Sequence, residues 1–182
     1  QEEVYRELTD YREVASAIRE LRVRGAPAIG VAGAYGIALG ALGIGGTSRE
    51  DFLNQLHTVI RTLGDTRPTA RNLFRALERL TEVARASQDV GQIKAALIKE
   101  ALRIHAEEAE ATTRLSQLGA ELIQDGFSIL THCNTGPLAT TGYGTALGVI
   151  IYAQGQGKLL KVFADETRPL LQGARLTTWE LQ

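Results

Sequence analysis

The sequence predicts an α/β protein in which a helical amino-terminal part is followed by the first part of a parallel sheet. Through about residue 126, apolar residues recur with the spacing of amphipathic helices. Beyond that point two short apolar runs of strand length appear, each followed by a turn and a helical pattern. Strands that alternate with helices pair in parallel through crossover connections. We therefore expect a helical domain at 1–126 and a βαβα part at 127–182.

Capping residues predict where the first helices begin. Asp10 and Glu13 have the spacing of a capping box, ahead of an amphipathic pattern that ends near Leu21. Pro27 suits the first turn of a second helix, which runs to about Leu42. That helix is rich in alanine and glycine, so we expect a neighbouring element to pack close against it.

Further helices are predicted before residue 126. Ser48 begins one of them, and the stretch Gly64–Pro68 interrupts its pattern. Helices are then expected over 69–86 and from about 90 to 123, the second of them capped by Asp89.

The predicted strands are Phe127–Thr131 and Leu159–Ala164, with a helix over Leu138–Ala153 between them and another from Gln172. Two strands are too few for a stable sheet of this class, so further strands are expected from missing sequence or a partner segment. The chain also opens without Met, contains no Met, and ends in a helical pattern that has no stop signal. These features predict a fragment of a longer protein.

Composition excludes several classes of function. The net charge is -1, so no basic excess favours binding to nucleic acid or to an acidic membrane surface. The one cysteine excludes an internal disulfide framework and favours a reducing, cytoplasmic compartment. No apolar run reaches the roughly 18 residues of a membrane span. The stretch from Ala26 to Gly46 comes closest, and its glycines favour a close-packed buried helix instead.

Cys133 is the first candidate for chemistry. It follows the first predicted strand, and the carboxyl ends of parallel strands are where open α/β sheets bind ligands. The small-residue helix expected after it offers amino-terminal N–H groups that suit a phosphate. The alternative, which spacing alone favours, is a buried cysteine that acts as a small apolar side chain. His132 should point to the opposite face of the strand, so a Cys–His pair is not expected.

Two arginine segments are candidate anion sites. Arg24 could bind a phosphate while the Gly25 and Ala26 N–H groups line it. Arg67 lies in a proline-containing loop ahead of a helix, which is again a position suited to an anion. Position alone gives only a weak signal for Arg24, which could be a surface residue ahead of a helix. For Arg67 it favours a salt-bridge or capping role over an anion site.

A polar cluster is expected at the end of the second strand. Asp165 follows that strand, and Gln172 opens the next helix, so both should face the same crevice as Cys133 unless they only form a turn. His57 and His105 lie within helical patterns and are interpreted as structural or solvated. No ligand spacing predicts a metal site, and no standard glycine fingerprint predicts a nucleotide cofactor.

Several motifs in order carry a resemblance to a known family. They are Val23–Gly30, Thr66–Ala70, Leu130–Gly136, Gly142–Gly148 and Ala164–Thr177. Together they closely resemble the methylthioribose-1-phosphate isomerase family over nearly the whole chain. The resemblance implies a helical amino-terminal domain before a Rossmann-like domain, a homodimer, and no cofactor. It also implies conversion of 5-methylthioribose 1-phosphate to 5-methylthioribulose 1-phosphate in methionine salvage.

The resemblance also implies roles for particular residues. Cys133 matches the catalytic cysteine of the family. The substrate-binding positions matched are Arg24, Gly25, Ala26, Arg67 and Gln172. The family's catalytic aspartate and an Asn-Lys pair belong to a later segment, which could be carried on a separate chain; Asp165 belongs to a different motif. Pro137 and Thr141 stand where family members commonly carry small residues.

Two alternatives stay open beside this isomerase. One is a regulatory subunit without catalysis, since the fold also serves subunits of the eukaryotic translation-initiation exchange factor. The other is ribose-1,5-bisphosphate isomerase, which would need a basic rather than apolar pocket for the substituent on C5. The expected partner in both isomerase interpretations is a small sugar phosphate, with no nucleic acid and no membrane.

Overall fold

The computed structural model describes residues 3–46 and 48–182. Contacts divide the chain into two compact units. The first comprises residues up to Val23 together with Ile29–Ile104, and the second comprises Arg24–Ala28 together with His105–Gln182. The sequence boundary near residue 126 marks the change from helices to strands and therefore falls inside the second unit. The predicted division of the whole protein into domains stays a prediction.

The described helices that precede the first strand begin within two residues of where the sequence predicts. They are α1 (Tyr11–Arg19), α2 (Ala26–Gly43), α3 (Arg49–Gly64), α4 (Arg71–Ala86) and α5 (Val90–Glu121). The Asp10 side chain accepts the Arg12 N–H at 2.7 Å, and Glu13 accepts the Asp10 N–H at 3.1 Å, which completes the capping box. Ser48 caps α3 by accepting the Asp51 N–H at 3.2 Å.

The core of the first unit forms around the small residues of α2. A Cβ on Gly33 would lie 2.4 Å from Leu73 Cδ1, and one on Gly40 would lie 2.5 Å from Val59 Cγ1. The predicted close packing against this helix is therefore confirmed. Among the described residues, α2 is the one helix long and apolar enough to cross a membrane, but 56% of it is buried inside the protein. Its buried residues belong to the apolar core, as expected for a core helix.

The second unit contains the parallel strand pair that the sequence predicts. Strand β1 (Ser128–Thr131) pairs in parallel with β2 (Lys161–Ala164), in register from Ser128 with Lys161 to Thr131 with Ala164. Helix α6 (Ala146–Gly155) lies between them in the chain. The predicted class, helices followed by an α/β part, is confirmed.

The helix expected from Leu138 begins later than predicted. A single 3-10 turn, Pro137–Ala139, comes first, and α6 starts only at Ala146. Gly144 has a φ of +102°, which an α-helix does not allow. The intervening chain instead turns back, so that the Thr145 N–H donates to the Thr135 carbonyl at 2.7 Å.

The chain ends in a short helical segment at the carboxyl side of β2. A π-helical turn, Gly173–Thr177, runs directly into one α-helical turn, α7 (Thr178–Glu180). Residues 173–180 are called the final helical segment below. Its start agrees with the helix predicted from Gln172. π-Helical turns are rare and are frequent at functional sites.

Candidate functional site

Cys133 lies at the carboxyl edge of the strand pair. It follows β1 by two residues, and the Asp165 N–H after β2 donates to the Thr131 carbonyl at 3.0 Å, so both chains leave the sheet side by side. The cysteine is half-buried. Because parallel sheets bind ligands outside this edge, the position is compatible with the catalytic role implied by resemblance. That role itself stays a prediction.

The backbone of Cys133 is held in an unusual conformation by two threonine hydroxyls. Its φ is +63°, in the left-handed region that costs a side-chain-bearing residue about 1–2 kcal/mol. The Cys133 N–H donates to Thr167 Oγ1 at 3.0 Å. The Thr177 hydroxyl donates to the Cys133 carbonyl at 2.6 Å. The loop after β2 therefore binds the N–H of Cys133, and the final helical segment binds its carbonyl.

The Arg24–Ala26 segment lies against the turn that follows Cys133. Gly25 has a φ of +86°, and a Cβ there would stand 2.4 Å from the Ala139 carbonyl oxygen. Only glycine fits this approach. The predicted substrate-binding residues Arg24, Gly25 and Ala26 are thus brought to the loop that carries the cysteine.

Gln172 lies next to the loop that binds Cys133. A Cβ on Gly173 would stand 1.6 Å from the Asp165 carbonyl oxygen and 3.2 Å from Thr167 Oγ1. The backbone beside Gln172 therefore packs against the residue that accepts the Cys133 N–H. The Gln172 side chain is half-buried. Its proposed contact with substrate stays a prediction.

Arg67 lies in the first unit, in the turn between α3 and α4. The Ala70 N–H donates to the Arg67 carbonyl at 3.0 Å, which shapes the loop. The Arg67 side chain is half-buried and makes no hydrogen bond or ion pair to any residue that the structure describes. Its role in binding an anion stays a prediction that rests on the motif.

His132 and Asp165 pair with each other at the sheet edge. A ring nitrogen of His132 lies 2.9 Å from Asp165 Oδ2, and both side chains are exposed. The carboxylate of Asp165 is therefore engaged by His132, the immediate neighbour of the cysteine. The expected orientation of His132 away from Cys133 stays a prediction.

Two of the N–H groups near the position expected for a phosphate are bound within the chain. Thr135 Oγ1 accepts the Leu147 N–H at 3.1 Å in the first turn of α6. The Leu138 N–H donates to Glu180 Oε1 at 2.7 Å. The helix predicted from Leu138 begins only at Ala146. One of these two donors is bound by Thr135 of the loop after Cys133, and the other is bound by Glu180 of the final helical segment.

A family model supplies the decisive comparison. The model described as the initiation factor 2 subunit family matches residues 22–182. The chain belongs to the initiation factor 2 subunit family. That match includes the Arg24–Ala26 segment, both strands and the final helical segment.

Curated relatives of one name match nearly the whole of this chain. A protein named methylthioribose-1-phosphate isomerase from Dehalococcoides mccartyi is 60% identical over 181 residues, covering 100% of this chain and 54% of its own length. One of the same name from Geotalea uraniireducens is 56% identical over 182 residues, covering 99% and 53%. The chain spans about half the length of the curated relatives it matches.

Solved structures of the family share the same fold. The 5-methylthioribose 1-phosphate isomerase of Pyrococcus horikoshii superimposes with a TM-score of 0.90 at 43% identity, covering 96% of this chain and 49% of the other. The translation initiation factor eIF-2B delta subunit from A. fulgidus superimposes with a TM-score of 0.87 at 45% identity, covering 97% and 52%. The fold of this chain is therefore highly similar both to the isomerase structure and to the initiation-factor structure.

Sequence reasoning missed the residues that hold Cys133. Thr167 and Thr177 lie within the motif Ala164–Thr177, and Glu180 lies beyond it, but none of the three side chains carries a spacing signal of its own. Asp165 was noticed, but its pairing with His132 was not predicted. These contacts depend on how the two strand-end loops meet, which periodicity does not report.

Metal binding finds no support within residues 3–46 and 48–182. No group of three or more His, Cys, Asp or Glu side chains there could hold a metal ion. The edge of the sheet carries a thiol, an imidazole–carboxylate pair, threonine hydroxyls and backbone N–H groups.

Proposed function

We propose that the full-length protein is a methylthioribose-1-phosphate isomerase, which converts 5-methylthioribose 1-phosphate to 5-methylthioribulose 1-phosphate. The observation that carries this proposal is identity of 54–60% to relatives of that name across essentially the whole chain. The placement of Cys133 at the carboxyl edge of the strands, with both backbone groups held, supports it. A homodimer in the cytoplasm, a Rossmann-like second domain and the absence of a cofactor belong to the same proposal.

The proposed reaction rearranges hydrogen without changing composition. Because phosphate blocks the anomeric oxygen, the ring opens by breaking the bond between C1 and the ring oxygen, which takes up a proton. The hydrogen on C2 ends on C1, and the C2 hydroxyl loses its proton to become a carbonyl. Each of these steps is aided by a group that gives or takes a proton at the right position.

The residues divide into two proposed roles. Cys133 moves a proton or stabilises the transition state beside C1 and C2. Arg24, with the backbone of Gly25 and Ala26, binds the sugar phosphate, and Gln172 contacts it from beside the loop after β2. Arg67 is assigned to the substrate by resemblance alone. The acid partner implied by the family belongs to sequence beyond Gln182, and Asp165 is not proposed for that role.

The test is turnover of 5-methylthioribose 1-phosphate by the full-length protein. The product is measured by chromatography that separates 5-methylthioribulose 1-phosphate from the substrate. Cys133→Ala should lower kcat by about 10²–10⁴-fold if the thiol acts in proton transfer. His57→Ala, on an exposed face of α3, serves as the control and should turn over normally. Normal turnover by a folded Cys133→Ala protein would remove the thiol from the mechanism.

The alternatives are separated by two further results. Turnover of ribose 1,5-bisphosphate in preference to the methylthio substrate would identify the other sugar-phosphate isomerase. A folded full-length protein that converts neither substrate would favour a regulatory role without catalysis. The isomerase is favoured here because the curated relatives quoted above all carry that name.

A further inference from the structure

A buried hydrogen-bond network joins the final helical segment to the cysteine loop. The Asn134 side-chain amide donates to Thr177 Oγ1 at 3.3 Å and to Glu180 Oε2. The Thr177 hydroxyl donates onward to the Cys133 carbonyl at 2.6 Å. The other carboxylate oxygen of Glu180 accepts the Leu138 N–H at 2.7 Å. Two side chains three residues apart thus bind the loop at Cys133, at Asn134 and at Leu138.

The donor and acceptor roles in this network are fixed by its members. A carboxylate only accepts, so the Asn134 group that faces Glu180 must be its NH₂. Thr177 has one hydroxyl proton, and the Cys133 carbonyl can only accept it. The Thr177 oxygen is then left to accept from Asn134. Rotating the Asn134 amide would bring its oxygen against the carboxylate, so one arrangement is strongly favoured.

Burial makes the bonds of Thr177 and Asn134 hard to replace with water, whereas the bond between the Leu138 N–H and Glu180 is exposed. The Thr177 side chain is fully buried, and Asn134 is 9% exposed. A buried donor or acceptor that loses its partner bears the full desolvation penalty. Gly136, between the bound residues, also lies close to Glu180, since a Cβ there would stand 2.7 Å from both carboxylate oxygens. The loop therefore has little room to adopt another conformation while Thr177 and Glu180 are in place.

We propose that Thr177 and Glu180 are positioning residues for Cys133, which hold its loop in the conformation that presents the thiol to the sugar phosphate. This proposal rests on the proposed isomerase function. The same segment begins beside Gln172, the predicted substrate contact, so one short element sets both the thiol and a group that binds substrate. Small displacements of a reacting group lower the rate far more than they lower binding.

The first test compares Thr177→Val with Thr177→Ser in the full-length protein. Valine keeps the shape and removes the hydroxyl, whereas serine keeps the hydroxyl. Thr177→Val should lower kcat by about 10–100-fold with little change in KM, and Thr177→Ser should recover most of it. Thr178→Val is the matched control, because the Thr178 hydroxyl is exposed and donates only to the Ala174 carbonyl of its own segment, at 2.6 Å.

The second test measures the reactivity of the Cys133 thiol in the absence of substrate. The rate of Cys133 alkylation by iodoacetamide is measured from the labelled peptide, so it does not depend on isomerase activity. Thr177→Val and Glu180→Gln should both change this rate several-fold, and Thr177→Ser and Thr178→Val should not. If the wild-type protein lacks isomerase activity but shows this pattern, the proposed function fails and the positioning role stands.

Three outcomes would overturn the positioning role. One is a folded Thr177→Val protein with unchanged kcat and unchanged alkylation. Another is a Thr177→Ser protein whose kcat is as low as that of Thr177→Val, because the hydroxyl would then have no effect on the rate. If Thr177→Val does not fold, Glu180→Gln is the deciding variant. Its side chain keeps an oxygen for the Leu138 N–H but places an NH₂ group toward Asn134. Normal kcat and normal alkylation in that variant would reject the proposal.

Discussion

The Cα of Gly25 lies directly against the backbone of Ala139, with no room for a side chain between them. A Cβ on Gly25 would stand 2.4 Å from the Ala139 carbonyl oxygen and 2.6 Å from its Cα. This contact joins the segment that carries Arg24 to the loop that carries Cys133, two parts of the second unit that lie far apart in sequence. The close approach is between backbone atoms, so side-chain rotation does not relieve it.

Replacing this glycine should damage both stability and substrate binding. Gly25→Ala meets two penalties: about 1–2 kcal/mol for the left-handed backbone and a further cost for the overlap with Ala139. We expect a lower midpoint of unfolding in urea and a raised KM, because Arg24 moves with its neighbour. Gly155→Ala is the control, since no atom lies within 4 Å of its added Cβ and it ends α6. Equal stability of the two variants would refute the contact.

Local sequence signals predict the helices and strands well, but no sequence signal predicts the long-range hydrogen bonds around Cys133. The capping residues Asp10 and Ser48 placed the starts of α1 and α3 because they act on N–H groups two or three residues away. The strand pair followed from two short apolar runs. By contrast, Asn134 is 43 residues from Thr177 and 46 from Glu180, and hydrogen bonds over such distances leave no periodic trace.

The late start of α6 also shows that local sequence patterns do not report tertiary hydrogen bonds. Residues 138–145 contain enough apolar and small side chains to continue a helical pattern, so the sequence favoured a helix from Leu138. The backbone N–H groups instead bind partners outside a helix. The Leu138 N–H donates to the Glu180 carboxylate, and the Thr145 N–H donates to the Thr135 carbonyl. Tertiary hydrogen bonds here override local propensity.

Lys158 should stabilise the carboxyl end of α5. Its Nζ donates to the Ala120 carbonyl at 2.6 Å and to the Ile123 carbonyl at 2.8 Å, at the end of the helix where carbonyls lose their regular partners. Lys158→Ala should lower the free energy of unfolding by about 1–3 kcal/mol, since charged hydrogen bonds to backbone are lost. The measurement is urea denaturation of the full-length protein. Lys99→Ala, exposed on the same helix, should change it far less.

A half-buried ion pair should couple α4 to α5 in the first unit. Arg79 Nε donates to Glu100 Oε1, and the two side chains are only 27% and 13% exposed. Glu100→Ala should destabilise the protein by about 1.5–3 kcal/mol, because it leaves a poorly solvated guanidinium behind. A double-mutant cycle with Arg79→Ala measures the coupling. Strictly additive losses would show that the pair contributes no energy of its own.

Glu108 should make the protein less stable at neutral pH than a neutral side chain would. Partial burial raises the pKa of the Glu108 carboxyl, so the folded state binds its proton more tightly than the unfolded state does. Stability from this group therefore rises as the pH falls through the folded pKa, and it is lost as the pH rises back toward 7. Glu108→Gln should raise the midpoint of thermal unfolding at pH 7, with an advantage that shrinks on acidification.

The control for this pH dependence is Glu110→Gln, at an exposed position of the same helix. Both variants remove one negative charge from α5, so any effect of net charge alone is shared. Melting curves at half-unit steps from pH 4.5 to 7.5, about the span over which a shifted carboxyl titrates, separate burial from charge. An advantage of Glu108→Gln that is equal to that of Glu110→Gln at every pH would show that burial of Glu108 has no energetic consequence.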